Sequence, residues 1–538
     1  MPCVLGLDSS TQSLSAILLD LDAREAIADY SVDFDERLGA KYGVENGVLP
    51  NDDPQVKHSP PQMWLEALDL LLGDLKSQGV NLSQVVAVAG SGQQHGSVYL
   101  NPRGVTLLGQ LDPHLGLADQ LDGCFSRETS PIWMDASTWR ECQEMTEALG
   151  GPKAVAELTG SCCFERFTGT QIRRFWKSET DDYDRTARIH LVSSFMASVL
   201  AGAEAPLDPG DGAGMNLMDI RTKAWSPAAI EACAPRLRSK LPPIAPADTV
   251  VGPIAPYFVE KYGFSPDCKA CVWSGDNPNS LVGVGLVSSG KICLSLGTSD
   301  TYFGYMPEAQ VDPAGEGHCF GSPTGAYMSL ICFKNGSLAR ERVRDAYGMD
   351  WPAFSAALRA TPVGNGGRLM LPYFDTEIVP NVLEPKVWRF GLDEADGPAN
   401  CRAVVEAQQL SMRIHSRWMG VDSTTIYATG GASANREILE VMANVHNAEV
   451  YQFPVGNSAA LGAALRAAHA WYKGNGDEQP WEQIVSGYAE PVAASRLAPD
   501  PASAAVYNEL IPVYNACEDH ALRGGPDPAP LQEAFRAK

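Results

Sequence analysis

The stretch Val4-Leu5-Gly6-Leu7-Asp8-Ser9-Ser10-Thr11-Gln12-Ser13-Leu14-Ser15-Ala16-Ile17-Leu18-Leu19-Asp20-Leu21 is apolar at both ends and polar in the middle. Two apolar runs separated by a short polar knot read as two strands and a tight turn, a β-hairpin at the start of a domain. The pattern returns at residues 291–305, K-I-C-L-S-L-G-T-S-D-T-Y-F-G-Y, about half the chain length further on. We read the pair as an internal structural repeat, hence two related domains. A chance likeness between two hairpins is the competing reading.

What lies between the hairpins is α/β in texture. A polar, Pro-containing stretch at 46–61 leads to a helix with Trp64, Leu68, Leu71, Leu72 and Leu75 on one face, ended by Gly79. Residues 85–89 form a buried strand that opens into the glycines of 90–96. The second half repeats the rhythm: helix over 404–418, strand over 424–428, loop over 429–434. A helix with Ile438, Met442 and Val445 on one face and a strand over 449–453 follow. The Gly/Ser-bearing stretch 283–290 is the expected boundary, dividing the chain into domains 1–287 and 288–538. Residues 491–501 and 526–530 read as surface loop and tail.

The bulk numbers narrow the function. Of 538 residues, 45% are hydrophobic and 20% charged, ordinary for a soluble globular protein and too long for one core. Acidic residues (65) outnumber basic ones (41), a net charge of −24, which disfavours nucleic acid and anionic membranes as partners. The N-terminus lacks a basic region followed by an apolar core, and no apolar run approaches the ~18 residues of a membrane span. The thirteen cysteines read as reduced thiols, and the C-x-x-C of Cys268 and Cys271 has no second pair nearby. These features lead to the expectation of a cytoplasmic protein.

Candidate chemistry sits where strands end. Asp8-Ser9-Ser10-Thr11 and Gly297-Thr298-Ser299 combine small side chains with hydroxyls, as phosphate grips do; each alone also fits an ordinary polar turn. A carboxylate beside phosphate would repel it, so Asp8 makes most sense holding a hydrated Mg²⁺. The adjacent glycines of Ala428-Thr429-Gly430-Gly431-Ala432 permit close approach of a flat ligand such as adenosine, or simple helix–strand packing. Neither a Rossmann fingerprint nor a P-loop occurs. Ser274-Gly275-Asp276-Asn277 follows an apolar pair, and Asp276 fits a base that takes a hydroxyl proton, although G-D-N is also a common turn. His95, in Gln93-Gln94-His95, is placed to donate to a sugar hydroxyl, with a satisfied structural histidine as the default.

Taken in order, D-S-S-T, S-G-Q-Q-H-G, P-I-W-M-D, S-G-D-N, S-L-G-T-S, A-T-G-G-A-S-A-N and S-A-A-L-G-A-A resemble the FGGY carbohydrate kinases over nearly the whole chain, residues 5–464. The resemblance implies two ribonuclease-H-like (actin-like ATPase) domains with a catalytic cleft between them, binding a small sugar and Mg-ATP. It implies phosphorylation of D-xylulose at its terminal hydroxyl with Asp276 as general base. Ribulose, a tetrulose or a polyol are the alternative acceptors, and a catalytically silent binding protein is the alternative class. By the same resemblance His95, Gln94, Arg166 (in E-R-F-T-G), Asn277, Trp133 and Asp135 surround the sugar. Trp351, Gly430, Gly431 and Asn435 form the adenosine site; Asp8, Ser10, Thr11, Thr298 and Ser299 surround Mg²⁺ and the phosphates. A homodimer is the one assembly the resemblance implies. Two departures stand out: Ser10 where many members have Gly, which puts the turn geometry in doubt, and an extra stretch at 107–129, read as a surface loop or lid.

Overall fold

The opening apolar runs become β1 (Cys3–Ser9) and β2 (Ser13–Asp20), antiparallel, with Asp8 level with Ser15 and Ser9 with Leu14. The computed structural model describes residues 2–454 and 456–537. β3 (Glu25–Asp33) lies outside β2, and β4 (Val85–Gly92) runs parallel to β1 on its other side. β5 (Val250–Pro253) and β6 (Lys269–Cys271) complete a sheet of order β5-β6-β4-β1-β2-β3.

The second hairpin, β7 (Lys291–Leu296) and β8 (Asp300–Met306), seeds a second sheet with β9 (His318–Gly321), β10 (Tyr327–Phe333), β11 (Thr425–Thr429) and β12 (Glu449–Gln452), in order β9-β10-β8-β7-β11-β12. The paths β6-β4-β1-β2-β3 and β12-β11-β7-β8-β10 share both order and strand direction. The two hairpins are therefore equivalent parts of two equivalent sheets, and a polar turn stands at the same corner of each.

Eight helices carry the rest of the argument: α1 (Pro61–Ser77), α2 (Asp276–Gly283), α3 (Ser337–Ala346), α4 (Trp351–Ala360), α5 (Gly397–His415), α6 (Arg436–His446), α7 (Ser458–Gly474) and α8 (Pro501–Arg523). α1 buries Trp64, Leu68, Leu71, Leu72 and Leu75, the face its spacing predicts. One apolar cluster fills the second sheet and continues through α2 and α7 to Val4, Ile17 and Leu19 of the first hairpin. A second, behind the first sheet, includes α1, and a smaller third gathers Tyr99, Ile172, Phe175 and Leu191.

α7 lies late in the chain yet packs against β1 and β4 and, most closely, against α2. A Cβ on Gly462 would stand 1.8 Å from the Asn279 carbonyl, on Gly283 1.9 Å from that of Ser458, and on Gly6 2.1 Å from that of Ala460. Only hydrogen fits at these three crossings. Arg466, on the same helix, is buried beneath β4 and α2. It donates to the carbonyls of Gly90 (3.3 Å), Ala247 (3.0 Å) and Val272 (3.0 Å) and to Asn279 Oδ1 (3.1 Å).

Two expectations change, and one helix stands where none was expected. Residues 107–129 are no free lid: Leu108, Leu117, Leu121 and Cys124 are buried in the first domain's core, and Leu117 N donates to Asp69 at 2.8 Å. Ser10 takes no positive φ; its backbone N–H and its hydroxyl both donate to the Ser13 carbonyl at 2.9 Å, closing the turn without a glycine. Between the expected loop and tail stands the 23-residue helix α8, whose Tyr507, Leu510, Ile511, Val513 and Tyr514 are buried. Pro512, inside it, obscures its periodicity.

The glycine crossings predict that Gly462→Ala is destabilising by about 1–3 kcal/mol, as overpacking of a filled interior is. A lowered midpoint of denaturant unfolding checks it, and an unchanged midpoint would mean that α2 and α7 separate at little cost.

Candidate active site

Asp276 is the first residue of α2 and Asp8 the last but one of β1, so strand, helix and the α7 crossing bring two carboxyl groups together. Burial pushes the Asp276 carboxyl up to about 6, against the hydrogen bonds that favour its charge, among them Asn277 N at 2.8 Å. Asp8 is pushed up to about 7, by burial first and then by the charge of Asp276, with Ser91 pulling the other way. Its Oδ1 is buried without a hydrogen-bond partner. A like charge nearby makes the Asp8 carboxyl harder to ionise. A cation placed beside it reverses that effect, and the partnerless Asp8 oxygen fits one.

Asn277 turns its amide back to Gln94 Oε1 (2.8 Å) and to Asp276 Oδ1 (3.0 Å). Gln94 and His95 follow β4. His95 has φ +70°, a strained conformation for a non-glycine residue. Thr168 Oγ1 holds its carbonyl at 2.9 Å, and Phe167 stacks on its ring with centroids 4.3 Å apart. His95 Nδ1 lies 2.8 Å from the Gly214 carbonyl, which can only accept, so the proton is on Nδ1. Burial, reinforced by the charge of Arg166, lowers its pKa to about 3 and keeps the ring neutral. Nε2 is then a hydrogen-bond acceptor. The expected direction is reversed: a sugar hydroxyl would donate to His95.

Arg166 lies over Phe164 (4.8 Å to the ring centroid) and Phe167 (5.5 Å). Among the described residues no carboxylate pairs with it. Its Nη2 reaches Nε2 of His318 at 3.2 Å, and His318 Nδ1 lies 3.0 Å from Ser161 Oγ. Because a guanidinium only donates, His318 is the Nδ1-protonated, neutral tautomer; burial and the charge of Arg166 hold its pKa well below the ordinary value. His318 sits on β9, at the edge of the second sheet, so both halves of the chain build this pocket. No spacing in the sequence points to His318, which stands 152 positions from Arg166.

Trp133 and Asp135 support the site from outside it. Trp133 Nε1 donates to Thr11 Oγ1 at 2.8 Å, tying this segment to the first phosphate turn, while its ring is 45% exposed. Asp135 is buried, and its oxygens accept from Lys57 N (2.9 Å), Ser137 N (3.0 Å) and Gln171 Nε2 (2.8 Å). Those contacts fix the chain on either side of it. The donors of Ser10 are both turned to the Ser13 carbonyl.

Across the cleft, the second turn leaves Thr298 and Ser299 exposed at its tip. It is held from behind by Asp300, whose oxygens take Arg340 Nη1 and Nη2 at 2.7 and 2.9 Å in a fully buried ion pair. Arg340 also donates to Gln408 (2.7 Å) and Ser337 (2.8 Å), and Ser337 N donates to the Gly297 carbonyl at 2.9 Å. Such a pair is weak evidence of stability but a firm positioning device, since loss of either member leaves a buried charge.

A cavity of about 790 Å³ opens beside this turn, lined by Thr298, Trp351, Gly431 and Asn435 together with Glu341 and Ser355. Trp351 begins α4, packs edge-on to Phe354 (5.4 Å), has Arg344 4.5 Å from its ring centroid, and leaves 36% of its surface open. Asn435 caps α6 through Ile438 N (3.1 Å) and donates to Ser355 Oγ (2.8 Å). Gly430, with φ +81°, does not line the cavity; a Cβ there would stand 2.5 Å from the Leu296 carbonyl, so it lets the loop cross β7. Ser299 is also outside the lining.

Residues 129–283 match the N-terminal domain, and residues 292–471 the C-terminal domain, of the FGGY family of carbohydrate kinases. The chain belongs to this family. It is an ATP-dependent sugar kinase, ATP being the co-substrate the family implies. Xylulose kinase from Mus musculus is 42% identical over 532 residues, 97% of this chain and 94% of that one. Xylulose kinase 2 from Arabidopsis thaliana is 43% identical and covers 87% of each chain. Among solved structures, xylulose kinase from Rhodospirillum rubrum superposes with a TM-score of 0.79 at 20% identity, covering 99% of both chains. That likeness establishes the two-domain actin-like fold.

Two variants test the pocket assignments. His318→Leu removes the acceptor from Arg166 and should raise the KM for sugar roughly tenfold or more, with kcat little changed, since a hydrogen bond to a charged group contributes about 1.5–3 kcal/mol. His318→Asn should recover part of the loss; an unchanged sugar KM in both would detach His318 from the pocket. Trp351→Ala should raise the KM for ATP and not that for sugar, and the opposite pattern would move Trp351 out of the nucleotide site.

Proposed function

We propose that the chain transfers the γ-phosphoryl group of ATP to the terminal hydroxyl of D-xylulose, forming D-xylulose 5-phosphate and ADP. The observation that carries the reading is Asp276: a carboxyl at a helix start, more basic than an ordinary carboxylate, with Asn277 and Gln94 bonded around it. The naming of relatives of 42–43% identity as xylulose kinases supports the choice of sugar.

In this reading the ketose lies between α2 and the Arg166–His318 pair. Neutral His95 accepts from one hydroxyl through Nε2, Asn277 faces another, and Arg166 donates to sugar oxygens. Asp276, as carboxylate, takes the proton of the C5 hydroxyl while that oxygen attacks the γ-phosphorus, and the bond from phosphorus to the ADP oxygen breaks. Trp351, Gly431 and Asn435 seat the adenosine, and Thr298 and Ser299 face the phosphates from one side, Thr11 from the other. Mg²⁺ fits beside Asp8, whose Oδ1 is buried and partnerless; bound there, it would neutralise phosphate charge. Among the described residues no three His, Cys, Asp or Glu side chains form a metal cluster, which suits a cation held largely by water and phosphate. Every residue named belongs to one chain, so the chemistry needs no second copy. Among the described residues no helix is long and apolar enough to cross a membrane, and the reading places the enzyme with its substrates in the cytoplasm.

The test is ADP release with Mg-ATP across D-xylulose, L-xylulose, D- and L-ribulose, erythrulose, xylitol and glycerol, with Asp276→Ala alongside. D-Xylulose should be the best acceptor, and the variant should lose about 10²- to 10⁴-fold, as loss of a general base does. A better acceptor elsewhere in the series would replace the sugar while keeping the kinase. Turnover undiminished in Asp276→Ala would remove that residue from the mechanism.

A further inference from the structure

A polar cavity of about 380 Å³ opens at the end of the second sheet opposite its phosphate turn, where β11 begins. Its walls include Tyr302, Arg413, Arg417, Ser423 and His446, and it shares no residue with the nucleotide cavity. Arg413 stands in the last turn of α5 and Arg417 one turn beyond. Among the described residues neither arginine is in an ion pair. They sense one another: burial, and then the charge of Arg417, lower the pKa of Arg413. Two neighbouring guanidinium groups with no ion-pair partner among the described residues are unexpected in a chain of net charge −24.

The helix ends explain part of this arrangement. α5 and α6 both finish at the cavity, where a cation is favoured, and Arg413 Nη1 donates to the Val445 carbonyl at 2.5 Å. That contact accounts for Arg413 alone. Among the described residues nothing accepts from the Arg417 guanidinium. Tyr302 and Ser423 face each other with their hydroxyl oxygens 3.0 Å apart. His446 is 8% exposed, and its Nε2 has no partner among the described residues. Asp422, at the rim, is the one carboxylate in the lining.

We propose that this cavity binds the phosphoryl group of a small phosphate monoester between the guanidinium groups of Arg413 and Arg417, with the Tyr302 and Ser423 hydroxyls completing the site. Planar forks paired on one dianion are the arrangement arginine favours for phosphate, and the volume suits a molecule of a few carbons. The site lies apart from the proposed catalytic groups and does not depend on which sugar is phosphorylated.

Equilibrium dialysis of the full chain, with Mg-ADP saturating the cleft, tests it with inorganic phosphate and glycerol 3-phosphate as probes. Wild type should bind glycerol 3-phosphate saturably and more tightly than inorganic phosphate. Arg417→Ala should weaken that binding at least tenfold and keep wild-type kinase turnover in phosphate-free buffer, which also reports that the variant is folded. Ser299→Ala, in the cleft, should bind the probe as wild type does. Equal affinity in Arg417→Ala and wild type, absence of saturable binding, or loss in Ser299→Ala alone would each overturn the proposal. Binding of inorganic phosphate without the monoester would overturn the ligand class.

Discussion

The crossing of α2 and α7 is the contact on which the rest of the structure depends. Three glycines, Gly6, Gly283 and Gly462, let backbone meet backbone where any side chain would collide. Arg466 then bonds β4, α2 and the segments before and after β6 into one unit. Its charge is buried without a direct ion pair, and the nearby charges of Asp208 and Asp211 offset part of what burial costs it. Removing a buried charge's compensation costs about 3–5 kcal/mol, so this unit can hardly loosen piecemeal. Because Asp276 is the first residue of α2, the carboxyl proposed as the base inherits that rigidity. Both halves of the chain thus set its position, although it belongs to the first.

The electrostatics of the cleft follow from this rigid frame. Burial raises both carboxyls, and the charge of Asp276 adds to the rise at Asp8. Each holds its proton more tightly in the folded chain than in an unfolded one. Their effect on stability is therefore absent below the ordinary carboxylate range, grows more unfavourable as pH rises from there to about 6 to 7, and is constant above that. Such a cost at neutral pH is characteristic of groups kept for function, and a cation bound with phosphates would relieve it. The proposed sugar side is built in the opposite sense: His95 and His318 are forced neutral by burial and by Arg166, leaving ring nitrogens as acceptors. Arg166, with an imidazole in place of a carboxylate partner, retains donors for a ligand.

Much of this frame is legible in the sequence. Both hairpins announce themselves through apolar runs broken by small polar turns, and their return at mid-chain corresponds to two sheets of identical path. The α1 face and the helix of Ile438, Met442 and Val445 follow from period alone. Asp276 is different: its local sequence is that of an ordinary turn, and only the ordered set of motifs lends it a role. His318, Asp300–Arg340 and Arg466 have no local signature, because each acts through partners that the fold brings from far along the chain. The bonds of Asp135 to Lys57 N and Gln171 are equally unannounced by P-I-W-M-D. Residues 107–129 are ambiguous in sequence, since short apolar spacings do not reveal which core receives them.

The most direct test is the pH dependence of kcat/KM for D-xylulose at saturating Mg-ATP. A buried Asp276 acting as carboxylate base requires the rate to fall on the acid side, about tenfold per pH unit, with an apparent pKa of about 6 rather than an ordinary carboxylate value. A profile flat through that region, or one that falls as the pH rises through it, would contradict the account.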